Sequence, residues 1–102
     1  LLVIGWGSTF GALRTAVEKL HKEGKSITHL HLKHLFPLHP DVYEFIKGFG
    51  HTVVVEMNQG QLVQVLRSQT QAPMSFIGQT SGQPFGADFL YAQLNTLSTQ
   101  KA

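Results

Sequence analysis

Cysteine is absent from all 102 residues. No disulfide, Cys-ligated zinc or Cys-ligated iron–sulfur cluster can therefore form within this chain. The absence fits a reducing compartment, and a cytoplasmic setting is the expectation. Charge is scarce as well: Asp, Glu, Lys and Arg make up 14% of the residues and the formal net charge is +2. No run of Lys or Arg occurs, and Lys19, Lys22 and Lys25 are spaced as the solvated end of a helix. A nucleic-acid surface gathers basic side chains on one face, so nucleic acid is not an expected partner. No apolar run approaches the roughly 20 residues of a membrane span, so neither is a membrane. Leu1-Leu2-Val3-Ile4 is too short for a signal peptide and has no charged leader. There is no initiator Met, and the chain opens inside an apolar run. It is expected to be a piece of a longer polypeptide, with residues 1–102 forming one domain. Hydrophobic residues, at 42%, suffice to fill a single core.

What is present is an alternation of short strands and helices. Leu1 to Gly5 and Val53 to Val55 are continuous apolar runs, as in strands buried on both faces of a parallel sheet. Between them, Ile27 to Leu35 alternates: Thr28, Leu30 and Leu32 point one way, and His29, His31 and Lys33 the other. That pattern predicts a strand near a sheet edge with one wet or partly exposed face. Met74 to Gly78 predicts a fourth strand. Helical spacing marks Ala12 to Leu20, a segment opened by Pro40-Asp41 with Val42, Phe45, Ile46 and Phe49, Leu62 to about Gln69, and Phe89 to Leu97. Ser8 or Thr9 is expected to cap the first helix and Gly24 to end it. Ser98 to Ala102 is expected to fray. The order βαβαβαβα predicts a three-layer, Rossmann-like open parallel sheet with strand order 2-1-3-4. Winding then reverses between strands 1 and 3, and ligands of such sheets sit beyond the strand C-termini at that reversal. Gly5, Gly7, Ser8 and Thr9 would meet Glu56, Asn58, Gln59 and Gly60 there.

Each motif has a chemical reading and a plainer one. Gly5-x-Gly7-x-x-x-Gly11 is one residue longer than the usual dinucleotide loop, Trp6 is bulky where a phosphate would approach, and strand 2 carries no acid for a ribose. Close strand–helix packing explains the glycines more simply. In the segment from Val54 to Leu62, Glu56 could accept hydrogen bonds from the Gly5–Thr9 loop and Asn58 could cap the following helix. The plainer reading is that these groups tie two loops together at a domain interface. His29 and His31 share a strand face and, with His34, invite a metal reading, but no carboxylate lies close in sequence. Ser8 lacks a G-x-S-x-G elbow, so a hydrolase is not indicated.

Three segments together resemble a family. Leu2-Val3-Ile4-Gly5-Trp6-Gly7-Ser8-Thr9, the stretch from His29 to Leu38, and Val54-Val55-Glu56-Met57-Asn58-Gln59-Gly60-Gln61-Leu62 are similar to the C-terminal, transketolase C-terminal-like domain of the α subunit of 2-oxoacid:ferredoxin oxidoreductases. The 2-oxoglutarate enzyme is the nearest variety. The third segment is the most specific. The resemblance implies a complete enzyme that uses thiamine diphosphate, Mg²⁺ and iron–sulfur centres and decarboxylates a 2-oxoacid oxidatively. It would pass electrons to ferredoxin and form an acyl-CoA. It also implies that thiamine and its metal are held mainly by other domains of the α subunit and by a thiamine-binding β subunit. This domain is then an assembly part, inactive alone, with no catalytic residue carried over and no cofactor of its own. A sheet of that kind usually has a fifth, antiparallel strand, which this sequence lacks. The alternative is a stand-alone Rossmann-like module that binds a nucleotide or CoA phosphate at the Gly5–Thr9 loop.

Overall fold

A computed structural model describes residues 1–32, 40–56, 61–78 and 86–99. Strand β1 (Leu2–Trp6) leads through a 3₁₀ turn (Gly7–Thr9) into helix α1 (Phe10–Lys22). There follow β2 (Thr28–Leu32), α2 (Pro40–Lys47), β3 (Thr52–Glu56), α3 (Gln61–Thr70), β4 (Met74–Gly78) and α4 (Ala87–Thr99). The four strands form one sheet in the order β2-β1-β3-β4. All three pairings are parallel, and Ile4 lies between Leu30 and Val54. The expected order and winding reversal are therefore present.

The apolar runs are explained by their place in the sheet. β1 and β3 are central, and each sends alternate side chains into two cores. Val3, Val53, Val55 and Ile77 pack with Leu13, Ala16, Val17 and Leu20 of α1 and with Leu90 and Leu94 of α4. Leu2, Ile4 and Val54 pack on the other face with Ile46 of α2 and Leu62, Val63 and Leu66 of α3. β2 is an edge strand, so it alternates. Its Leu32 joins the α2/α3 core, while His29 and His31 sit half-buried beside Phe10 of α1, at ring-centroid distances of 6.0 and 4.8 Å.

Helix α1 ends as its sequence predicts. Gly24 has φ of +82°, its N–H donates to the His21 carbonyl at 3.0 Å, and the Lys25 N–H donates to the Leu20 carbonyl at 3.0 Å. This is the Schellman arrangement, which a glycine adopts without Cβ strain. At the start of α1 the Thr9 half of the expected cap is not met, and the Ser8 side chain lies outside what is described. Thr9 makes no side-chain cap bond; its φ of −77° and ψ of −9° are already helical because the 3₁₀ turn runs straight into the helix. A capping side chain needs an extended backbone, and the Thr9 hydroxyl donates instead to the Trp6 carbonyl at 3.0 Å. The other end of the chain differs in part. Ser98 and Thr99 belong to α4, and the Ser98 hydroxyl donates back to the Asn95 carbonyl at 3.0 Å; the rest of the expected tail, Gln100 to Ala102, lies outside the described residues. β2 covers Thr28–Leu32 of the expected Ile27–Leu35; the rest of that span lies outside the described residues.

The two edges of the sheet are finished differently. In a parallel ladder, alternate residues turn their peptide groups to the same side. The Pro73 carbonyl accepts from Thr52 of β3, so the Met74 carbonyl faces outward. The guanidinium of Arg67, reaching across from α3, donates to it at 3.0 Å. The β2 sequence Thr28-His29-Leu30-His31-Leu32 contains no Lys, Arg or Pro of its own, the residues that ordinarily blunt an edge.

Candidate functional site

The rim beyond the C-terminal ends of β1 and β3 collects most of the residues singled out from sequence, and the sheet divides them into two groups. Gly5 belongs to the α1 side. A Cβ built on it would come within 2.6 Å of Leu13 Cδ2 and 3.0 Å of Thr9 Oγ1. Only a glycine lets α1 lie this close to the strand. Gly7 has φ of +69° and opens the turn, a backbone state that L-residues with a Cβ resist. Thr9 is buried, and Ser8 lies within the same 3₁₀ turn.

Trp6 and Glu56 belong to the other side, facing α3, because they continue the alternation of Ile4 and Val54. Glu56 is fully buried, at 0% exposure. Its carboxylate accepts three hydrogen bonds. Oε1 takes the indole N–H of Trp6 at 3.3 Å and the peptide N–H of Leu62 at 3.0 Å. Oε2 takes the peptide N–H of Val63 at 3.1 Å. The first turn of a helix leaves N–H groups without intrahelical partners and carries positive potential. Glu56 satisfies two of those donors and fastens the end of β1 to the same carboxylate.

The expectation that Glu56 accepts from the Gly5–Thr9 loop is therefore met through Trp6. Glu56 accepts from the first turn of α3; Asn58, expected to cap this helix, lies with Gln59 and Gly60 outside the described residues. Trp6 is the participant that sequence reasoning left out. Its bulk tells against a phosphate in the loop, and its parity with Ile4 places its indole on the Glu56 side of the sheet.

Away from the rim centre, His29 and His31 stand with ring centroids 6.2 Å apart. Burial, and then the neighbouring His31, lowers the pKa of His29 below its ordinary 6.5. Among the described residues, no three His, Cys, Asp or Glu side chains gather as a metal site; His34 lies outside them. No helix of the described residues is long and apolar enough to cross a membrane.

An all-parallel open sheet, reversed in winding at its centre and tied across that reversal by its own carboxylate, defines an α/β domain of the doubly wound class. Within that class, the chain belongs to the family described as pyruvate:ferredoxin oxidoreductase core domain II, whose model matches residues 1–88. It is 34% identical over 88 residues to the 2-oxoglutarate oxidoreductase subunit KorA of Mycobacterium tuberculosis (strain ATCC 25618 / H37Rv), a match covering 86% of this chain and 14% of that protein. It is also similar, with a TM-score of 0.84 and 30% identity, to the 2-oxoglutarate:ferredoxin oxidoreductase from Magnetococcus marinus. That enzyme was solved with 2-oxoglutarate, coenzyme A and succinyl-CoA bound, and the match covers 93% of this chain and 17% of that one. The chain thus spans about one-seventh of the length of the curated relative it matches.

Proposed function

We propose that this chain is a non-catalytic assembly domain of a thiamine diphosphate-dependent 2-oxoacid:ferredoxin oxidoreductase, with 2-oxoglutarate as the substrate. The whole enzyme would convert the 2-oxoacid and CoA to acyl-CoA and CO₂ while reducing ferredoxin. This domain's part is to pack against the remaining domains of the α subunit and the thiamine-binding β subunit, in the cytoplasm. The observation that carries the reading is the state of the rim. Where an open-sheet domain would receive a ligand's phosphate at a helix N-terminus, Leu62 and Val63 already donate to Glu56. Similarity to two 2-oxoglutarate oxidoreductases supplies the reaction class.

The donor sets agree with cofactors held elsewhere. An iron–sulfur cluster needs thiolates, and this sequence has none. Thiamine diphosphate would bring a diphosphate and Mg²⁺, and the buried acid at the end of β3, Glu56, is engaged with neutral N–H donors. Thiamine supplies the electron sink for decarboxylation when bound. This chain's residues would supply packed scaffold and hold none of that chemistry.

The alternative is a stand-alone module that would take a nucleotide or CoA phosphate at the Gly5–Thr9 loop, beside a Trp6 indole that is tied to Glu56. Calorimetry with CoA, ATP and NAD on the 102-residue chain separates the two readings: heat is expected with none of them, and micromolar binding of any one would favour the module. The assembly reading is tested by turnover. The isolated chain is expected to be inactive, and an oxidoreductase lacking this domain is expected to lose 2-oxoglutarate-dependent ferredoxin reduction. Full activity without the domain would contradict the proposal.

A further inference from the structure

The three groups that donate to Glu56 are all uncharged: one indole N–H and two peptide N–H groups. The ion pairs among the described residues, Arg14 with Glu18 and Lys47 with Glu44, lie on exposed helix faces and leave Glu56 without a cation. A carboxylate at 0% exposure is costly to hold without compensation. Here the compensation comes from the positive end of α3 and from directed N–H bonds. These are the same kind of donors that a helix N-terminus turns toward a bound phosphate.

We propose that Glu56 is a built-in anion that permanently takes the seat this rim would otherwise offer a ligand's phosphate. Two consequences follow from the geometry. The ends of β1 and α3 are fixed relative to each other before any ligand or partner arrives, because one carboxylate holds both. An external anion reaches the first turn of α3 only when the Glu56 carboxylate is removed. The role depends on the charge of Glu56 and not only on its shape, since two acceptor oxygens serve three donors. A Gln in its place has a single acceptor oxygen and turns an N–H group toward N–H groups.

The inference deepens the assembly reading given above, and its test is read locally so that the two fail separately. The measurement is hydrogen exchange at the Leu62 and Val63 amides in the full polypeptide, with formate and inorganic phosphate as probes; loss of turnover plays no part in it. In the natural protein, exchange at these amides is expected to be slow and indifferent to either anion. Glu56→Gln is expected to raise the rate by about tenfold, the difference between a charge-assisted and an ordinary hydrogen bond. Glu56→Gly is expected to raise it further, and formate or phosphate to slow it again saturably. Slowing of the natural protein's exchange by phosphate would overturn the proposal. So would natural rates in Glu56→Gln, or indifference of a folded Glu56→Gly to both anions. If Glu56→Gly does not fold, the Gln variant and the natural protein decide the matter.

Discussion

At Gly5 a single hydrogen atom sets the distance between two layers. The Leu13 methyl and the Thr9 hydroxyl occupy the space a Cβ would take, so Gly5→Ala forces the buried Leu13 and Thr9 side chains out of their places between α1 and β1. Overpacking of this kind costs about 1–3 kcal/mol, and a fall in the denaturant midpoint at constant m-value would register it. The packing role of Gly5 was readable from sequence because a glycine between a buried strand and a helix has few other uses. The Trp6–Glu56 bond was half readable. An acid at the end of a buried strand demands donors, which pointed to the neighbouring loop. Which donor serves it depends on the parity of Trp6 along β1, and parity becomes usable only once the strand's first and last residues are known. Thr9 misled for a related reason: threonine is equally at home as a cap and as a turn residue, and its own helical φ and ψ decide between them.

Among the elements, the central strands were the easiest to read. Val53 to Val55 can be buried on both faces only with a helix layer on each side, and that requirement with the βα alternation leaves few strand orders. β2 was readable as an edge from its alternation. Its contact with α1 has a consequence for pH. His29 is held below 6.5 in the folded state by burial, with His31 adding to the effect, so the unfolded chain takes up the proton first. Its contribution to stability is therefore complete above pH 6.5. That contribution falls as the pH descends from 6.5 toward the folded-state value, and levels off below it. Urea midpoints measured across this window should decline on acidification, and a His29→Gln variant should show a shallower decline. Equal slopes in the two proteins would mean that the β2–α1 contact does not sense the proton. The sequence did not reveal this contact, because Phe10 precedes the regular apolar stripe of α1 and reads as a turn residue.

Taken as a whole, the molecule leaves large aromatic surfaces uncovered on both helix layers. Phe10 and Phe89, in the first turns of α1 and α4, are 43% and 46% exposed; Phe45 of α2 and Phe76 of β4 are 45% and 38% exposed. Phe45 also stacks edge-on against Phe49 at 5.2 Å. Burying one such ring is worth about 1.5–3 kcal/mol, so the 102-residue chain by itself should self-associate in sedimentation velocity. Changing Phe45 and Phe89 together to Glu should return it to a monomer, and the same pair of changes in the complete oxidoreductase should weaken assembly. A chain that stays monomeric at high concentration with all four rings present would argue against a packing role for these faces. The exposed rings were legible in sequence only as residues. Their exposure depends on which helix faces the two cores leave over.

The Arg67 guanidinium on the Met74 carbonyl bears on what the sheet can grow into. A ribbon open along both margins can add copies of itself without end, as fibrils do. With a guanidinium fixed on one of its outward carbonyls, the β4 margin is less open to a further strand than the β2 margin, which carries no such blunting residue. A strand contributed by a neighbour is therefore expected along Thr28–Leu32 before it is expected along Met74–Gly78.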